Sequence, residues 1–276
     1  DVYKRQDVAR DLEARGVRPL YYEIHTPMDD VLLSNDPAVL GNMDRIVVPS
    51  PWSKRWICRH FPGLPSERVV ACGNIVDPSV FREPAELAEN PDRPIIWVGK
   101  FGDYKNWRLA FEILATYLTR NPDRHGYFVT GGRLTDTAMD EFLAMILDRQ
   151  LGSRFSWLHD LENAEMAPLY REIARRGGAL LSCSETESVC MVIHEAGRCG
   201  LPSVVTPAGA VADFISHGEN GLSILPDCES GVAALELITE DEELRRRVLN
   251  GLAQTLRDYD PGPLISDYLS ALKVDG

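Results

Sequence analysis

Residues 182–205 read SCSETESVCMVIHEAGRCGLPSVV and have the pattern of a strand end, a loop, a helix and a second strand. The apolar run over 178–181 predicts a buried strand, and Ser203–Val205 predicts the strand that follows. Between them, Gly200 is typical of a helix stop and Pro202 breaks a helix. This order predicts one repeating unit of a parallel α/β sheet.

Two glutamates of this unit are separated by seven residues. Glu187 lies at the mouth of the predicted helix and Glu195 in its second turn. The backbone N–H groups of Ser188, Val189 and Cys190 are expected to open the helix, and a helix N-terminus favours an anion. Both carboxylates could then accept hydrogen bonds from hydroxyl groups of a ligand whose phosphates bind these amides. The alternative is an ordinary amphipathic helix that carries two glutamates.

Composition limits the class of protein. With 276 residues, 44% of them hydrophobic and 26% charged, the chain is globular and long enough for one full domain and part of another. A net charge of −13 argues against nucleic acid as a partner. The six cysteines show no Cys-x-x-Cys pair and no metal-ligand spacing, so we expect reduced thiols, no metal and no cofactor. Neither a membrane span nor a signal peptide is predicted, which favours the cytoplasm.

Strands and helices alternate from Pro94 onward, which predicts a doubly wound parallel sheet. The strand over 95–98 leads into GKFGDYKNW, residues 99–107, and then into a helix over 107–119. Lys100 and Lys105 flank this loop at the carboxyl end of the strand. They are either ligand-binding cations or solvated surface lysines.

The earlier part of the chain contains a second strand and helix series. An apolar strand over 20–24 runs into His25, and a strand over 45–49 precedes Ser50, which has the position of a helix N-cap. Ligands of α/β sheets bind at the carboxyl ends of strands, so His25 is a candidate site residue. A lone histidine is also frequently structural.

Several of these segments together resemble one family. The run ESVCMVIHEA is similar to the Glu-x7-Glu motif of the retaining, nucleotide-sugar-dependent glycosyltransferases that have two Rossmann-like domains, the GT-B fold of the group 1 glycosyl transferases. Four further segments resemble family elements in the same order: YEIHTP, RVVACGNIVDPSVF, GKFGDYKNW and PAGAVADFISHGENGLSI. The resemblance extends from about Tyr21 to the C-terminus.

The resemblance implies a domain organisation. Residues 78–260 would form a complete Rossmann-like domain that binds the donor, and residues 7–77 a remnant of the acceptor-side domain with its connector. After a break at Pro261, Gly262 and Pro263, residues 261–276 would form a helix that crosses back onto the first domain. The first six residues, DVYKRQ, resemble translated sequencing-adapter sequence, so we expect the natural N-terminal part to be absent.

The resemblance also implies roles for individual residues. Glu187 would hydrogen-bond sugar hydroxyls, Glu195 would bind the ribose, and His25 would approach the sugar from the other domain. Lys100 and Lys105 would bind the diphosphate, although the family has arginine at the first of these positions.

Further donor contacts would come from Gly99, from Leu161 beside the base and from the amides of Ser188, Val189 and Cys190. His159 stands where the family has glycine, and Asp213 stands where it has glutamate.

The implied activity is retaining transfer of a sugar from a nucleotide diphosphate sugar to a hydroxyl group of an unknown glycan, lipid or small molecule. Cations and helix amides would replace a metal ion, and Asp258-Tyr259-Asp260 lies between C-terminal helices, away from the donor strands. Membrane association is expected only through the missing N-terminal part. Two alternatives remain, a non-catalytic nucleotide-sugar-binding fragment and a sugar-nucleotide 2-epimerase.

Overall fold

The structure is a computed structural model that describes residues 14–16, 20–25, 37–86, 88, 91–132 and 135–272. The first six residues and residues 7–13 of the predicted domain remnant lie outside the described residues. So do the last four residues of the chain.

The first part of the chain forms a parallel sheet with the order β1-β2-β3. Its strands are β1 (Tyr21–Glu23), β2 (Arg45–Val48) and β3 (Val69–Ala71), and its helices are α1 (Pro37–Gly41) and α2 (Pro51–His60). As predicted, Ser50 is the N-cap of α2, since its Oγ accepts a hydrogen bond from the Ser53 amide at 3.1 Å.

The second sheet has six parallel strands in the order β6-β5-β4-β7-β8-β9. They are β4 (Ile95–Gly99), β5 (Gly126–Thr130), β6 (Phe155–His159), β7 (Ala179–Ser182), β8 (Ser203–Val205) and β9 (Leu222–Ser223). The connecting helices are α3 (Trp107–Arg120), α4 (Asp136–Arg149), α5 (Asn163–Arg175), α6 (Met191–Arg198), α7 (Val211–Phe214), α8 (Cys228–Glu240), α9 (Glu242–Leu256) and α10 (Pro261–Ala271). The predicted doubly wound α/β fold is confirmed.

Both faces of the second sheet are covered, and this explains why its central strands are apolar at nearly every position. In β4, Ile95 and Trp97 pack on one face against α3, α4 and α8, while Ile96 packs on the other face against α5, α6 and α9. Alternate residues of a strand point to opposite faces, so each face has a hydrophobic core of its own.

The strand order places a switch point between β4 and β7. The chain proceeds from β4 to β5 and β6 on one side, and from β7 to β8 and β9 on the other. Loops that leave the carboxyl ends of the two central strands therefore turn in opposite directions and leave a crevice between them. The residues after β4 and after β7 line this crevice.

The chain is interrupted between α9, which ends at Leu256, and α10, which starts at Pro261 rather than after Pro263. Pro261, Gly262 and Pro263 form the first turn of α10, with Asp260 at the N-cap. Proline is compatible with that position because the first amides of a helix have no intrahelical acceptor. Farther along, Ala271 packs against Val47 of the first sheet, so α10 contacts the first part of the chain.

Candidate active site

The crevice is formed by two loops that are far apart in sequence. Residues 100–106 follow β4 and residues 183–190 follow β7. The Glu185 amide donates a hydrogen bond to the Tyr104 carbonyl at 2.8 Å, which joins the two loops directly. The position of one loop therefore fixes that of the other.

A buried ion pair lies where the two loops meet. The Lys105 ammonium donates to Oε1 of Glu187 at 2.6 Å, and the Ser184 hydroxyl donates to the same oxygen at 2.7 Å. The side chains of Lys105 and Glu187 are only 17% and 8% exposed. Burial pushes the pKa of Lys105 down, but the acidic groups around the ammonium outweigh burial and hold that pKa above its ordinary value. Lys105 is therefore a charged residue matched by a buried carboxylate.

Lys100 has a different environment from Lys105. Its side chain is exposed and lies along Gly132, where an added Cβ would be 3.6 Å from Lys100 Cε. Within the described part of the chain, the Lys100 ammonium makes no ion pair. The loop after β4 thus presents one buried, paired cation and one exposed cation.

The helix after the loop starts later than the sequence predicts. Helix α6 begins at Met191 with Cys190 as its N-cap, so Ser188 and Val189 belong to the preceding loop. The expected start at residue 188 was wrong because Ser188 is bound by the first part of the chain. Its carbonyl accepts from Ser53 Oγ at 3.4 Å and its hydroxyl donates to the His25 carbonyl at 2.6 Å.

The amides of this loop remain available to a ligand. Among the residues that the structure describes, none accepts a hydrogen bond from the backbone N–H groups of Ser188, Val189 and Cys190. Free amides next to a helix N-terminus favour a bound anion.

The backbone of Glu187 is held in place by a close approach of Gly209. The Ala210 amide donates to the Glu187 carbonyl at 2.8 Å. Gly209 has a φ of +57°, and a Cβ at this position would lie 2.3 Å from the Glu187 carbonyl oxygen. Only glycine fits there, because a side chain would face both an unfavourable backbone conformation and a steric clash.

Glu195 lies apart from the ion pair. It is half-buried on α6 and faces Tyr170 of α5, and burial raises the pKa of Glu195 to about 7 even though the Tyr170 hydroxyl lowers it. In the described part of the chain, no hydrogen bond or ion pair connects Glu195 with Glu187 or with either lysine. A carboxyl group that titrates near neutrality can donate as well as accept a hydrogen bond.

His25 reaches the site through its backbone. Its carbonyl oxygen accepts the hydrogen bond from Ser188, the residue next to Glu187 in the chain. Its imidazole is exposed, and Nε2 lies 3.1 Å from Oε2 of Glu23. The structure therefore places His25 at the junction of the two sheets, with its ring oriented by Glu23.

The remaining donor-site candidates lie at the ends of β4 and β6. Gly99 accepts a hydrogen bond from the Gly131 amide at 3.2 Å, and a Cβ on Gly99 would lie 2.7 Å from the Trp97 ring. Leu161 packs at the border of the hydrophobic core on the α5 side. His159, the last residue of β6, hydrogen-bonds the hydroxyl of Thr130, the last residue of β5, at 3.0 Å.

Asp213 and Asp260, two acidic residues considered in the sequence analysis, make ion pairs. Asp213 pairs with Arg55 at 2.6 Å and so connects α7 with α2. Asp260 pairs with Arg198 at 2.9 Å.

Over the described ranges, no group of three or more His, Cys, Asp or Glu side chains is placed to hold a metal ion. No helix in the described part is long and apolar enough to cross a membrane.

Sequence reasoning missed three residues that shape the site. Ser184 shares an oxygen of Glu187 with Lys105, Ser53 binds the Ser188 backbone, and Gly209 makes room for the Glu187 carbonyl. Of these three residues, Gly209, which follows β8, is the one whose role the sequence could have indicated, because a glycine near a strand end permits close backbone approach. The two serines carry no such sign, because both contacts depend on tertiary proximity.

Comparison with known proteins gives a family match and similar structures. The family profile described as glycosyl transferases group 1 matches residues 81–251. Sucrose synthase from Solanum tuberosum is 33% identical over 89 residues, which are 32% of this chain and 11% of that protein. The chain thus matches about a tenth of the length of this relative.

Two solved structures resemble nearly the whole chain. Sucrose-phosphate synthase from Thermosynechococcus elongatus has a TM-score of 0.80 at 17% identity, over 96% of this chain and 70% of that one. HepE from Anabaena in complex with UDP-glucose has a TM-score of 0.76 at 19% identity, over 92% of this chain and 73% of that one. At these identities the likeness shows a shared fold.

Proposed function

Since the chain belongs to the glycosyl transferases group 1 family, we propose that it transfers a sugar from a nucleotide diphosphate sugar to an acceptor hydroxyl group. The donor would lie across the carboxyl edge of the second sheet, at the switch point between β4 and β7. The transfer would retain the anomeric configuration and need no metal ion. The structural likeness to HepE, which was solved with UDP-glucose, supports a donor of this class.

The observation that carries the proposal is the buried contact between Lys105 and Glu187. An ammonium has three N–H donors, and Glu187 accepts one of them, so the others can reach phosphate oxygens. The second oxygen of Glu187 accepts no hydrogen bond from the described residues, so it can accept one from a sugar hydroxyl. A cation and a carboxylate in contact thus suit the junction between a diphosphate and a sugar.

Charge stabilisation would provide most of the catalysis. When the bond between the anomeric carbon and the phosphate oxygen breaks, its electron pair stays on the diphosphate. Lys105, the exposed Lys100 and the free amides of residues 188–190 would stabilise this growing negative charge. Preorganised donors of this kind are frequently the largest contribution to enzymatic rate enhancement.

The ribose and the transferred sugar of the donor would be bound by different side chains. Glu195, with a pKa of about 7, is partly protonated at neutral pH and could both donate to and accept from the adjacent ribose hydroxyls. His25 would contact the sugar from the first sheet.

The proposed reaction needs no covalent intermediate with the protein. The acceptor oxygen would attack the anomeric carbon from the face that the phosphate leaves, and the acceptor proton would pass to the departing phosphate oxygen. Retention follows because the forming and breaking bonds lie on the same face of the sugar.

The test is to incubate the chain with UDP-, GDP- and ADP-sugars and to measure release of the nucleotide diphosphate, with water as the acceptor. Proton NMR of the first-formed sugar should show the donor's anomeric configuration, and EDTA should leave the rate unchanged. Inversion or loss of activity in EDTA would contradict the proposed mechanism. Binding without release would indicate a non-catalytic protein, and an epimerised nucleotide sugar would indicate the epimerase.

A further inference from the structure

A series of exposed hydrogen bonds connects the C-terminal helix with His25. The Tyr268 hydroxyl donates to Oε1 of Glu23, and Oε2 of Glu23 lies 3.1 Å from Nε2 of His25. Glu23 and His25 are two positions apart in an extended segment, so their side chains project to the same side. Glu23 therefore stands between a hydroxyl of α10 and the imidazole proposed to contact the sugar.

Helix α10 is attached to other elements near both of its ends. Near the start of the helix, Arg198 of α6 donates to the Asp260 carboxylate at 2.9 Å. At its end, the Tyr21 hydroxyl donates to the Leu272 carbonyl. The helix thus runs from the donor-side helix α6 to strand β1 of the first sheet.

The partners of Glu23 decide which nitrogen of His25 carries the proton. The Tyr268 hydroxyl, and after it His25, lower the pKa of Glu23, so its carboxyl group is ionised at neutral pH. An ionised carboxylate only accepts hydrogen bonds, so Nε2 of His25 must be the donor. The neutral ring then has its lone pair on Nδ1, which can accept a hydrogen bond from a hydroxyl group.

This arrangement adds little to folding stability. The side chains of His25 and Glu23 are 52% and 43% exposed, and water competes for pairs of that kind. A contact that contributes little to stability but fixes the tautomer and orientation of a ring is suited to positioning.

We propose that Glu23 and Tyr268 are positioning residues that hold the His25 ring with Nδ1 available to a hydroxyl group of the sugar or the acceptor. The proposal rests on the proposed glycosyl transfer. In it, α10 couples the donor-side helix to the histidine on the opposite sheet.

The test compares Tyr268→Phe and Glu23→Gln with Tyr21→Phe in the donor-hydrolysis assay. Tyr21→Phe is the matched control, because it also removes one hydroxyl that docks α10 but leaves Glu23 untouched. Loss of the outer hydrogen-bond partner of a metal-bound histidine typically costs about 10–100-fold, and for this exposed ring without a metal we expect the low end, on the order of 10-fold. We expect Tyr268→Phe and Glu23→Gln to lower kcat by about that factor with KM for the donor unchanged, and Tyr21→Phe to match the wild type.

Two further measurements separate positioning from a merely structural role. In a His25→Ala background, Tyr268→Phe should cause no additional loss, because there is no ring left to position. Long-range ¹⁵N–¹H NMR should show His25 protonated at Nε2 in the wild type and in Tyr21→Phe, and a mixture of tautomers in Glu23→Gln.

Equal losses in Tyr268→Phe and Tyr21→Phe, full additivity with His25→Ala, or an unchanged tautomer in Glu23→Gln would each overturn the inference. A wild type that releases no nucleotide diphosphate would instead overturn the proposed function. The NMR measurement needs no turnover, so it still decides whether Glu23 orients the ring.

Discussion

Replacing Lys105 with methionine tests the ion pair at the centre of the candidate site. Methionine retains most of the apolar stem, but it leaves the Glu187 carboxylate buried with only the Ser184 hydroxyl as a side-chain donor. Removing one partner of a buried pair typically costs 3–5 kcal/mol. We expect a loss of about 3 kcal/mol, at the low end of that range, because Lys105 is 17% exposed and Ser184 still donates.

The measurement is urea unfolding at pH 7, followed by the fluorescence of the five tryptophans. A loss of this size corresponds to a decrease in Tm of roughly 6–12 °C for a chain of this length. Two controls accompany the variant. Adding Glu187→Gln should restore most of the stability, because no uncompensated charge then remains. Arg108→Met, which breaks the exposed pair with Glu141, should cost less than about 1 kcal/mol.

The reasoning is refuted if Lys105→Met costs less than about 1 kcal/mol, since the pair would then behave as a surface pair. It is also refuted if the Lys105→Met, Glu187→Gln double variant is no more stable than the single variant, because the loss would then come from packing rather than from charge.

Three further predictions concern other parts of the site. Because the pKa of Glu195 is raised to about 7, its contribution to folding stability is greatest below the pKa of the unfolded state, near 4.5, and is lost as pH rises through 7, by at most about 3 kcal/mol. Glu195→Gln should remove this pH dependence in urea unfolding at pH 5 and pH 8. A variant whose stability depends on pH as that of the wild type does would contradict the assignment. Gly209→Ala should destabilise the fold by about 2 kcal/mol or more, whereas Gly218→Ala, also at positive φ but with no atom within 4 Å of the added Cβ, should cost only about 1 kcal/mol. Lys100→Ala should weaken UDP binding about 10-fold in calorimetry and leave folding stability unchanged. Arg59 is an exposed cation of α2, and the Arg59→Ala variant should bind UDP as the wild type does. Equal effects of the two substitutions would place the diphosphate elsewhere.

Much of the fold could be predicted because local patterns report on local structure. The fully apolar run before Ser182 indicated a strand buried on both faces, and Ser50 indicated a helix start, because each pattern depends on neighbouring residues alone. Boundaries were less accurate where a distant residue intervened. Helix α6 starts at Met191 because Ser188 is bound by Ser53 and His25, 135 and 163 positions away.

The candidate site was predictable in composition but not in its contacts. Lys105 and Glu187 each follow a strand, so a parallel sheet places both at the same edge. The spacing of Glu195 from Glu187 suggested that Glu195 joins Lys105 and Glu187 in the site. In the described structure Glu195 instead lies next to Tyr170 of α5, because Glu195 is farther along α6. Lys100 and Lys105 were treated alike, although one is exposed and the other buried.

The sequence alone determined the α/β class, the family and the sheet edge that carries the candidate residues, because strand periodicity and residue order are local properties. The tertiary structure decided the strand order, and with it the pairing of Lys105 with Glu187, which are 82 positions apart. It also placed Gly209 against the Glu187 backbone and Tyr268 against Glu23. Such contacts depend on which strands and helices become neighbours, and that is settled by packing of the whole chain rather than by any one segment.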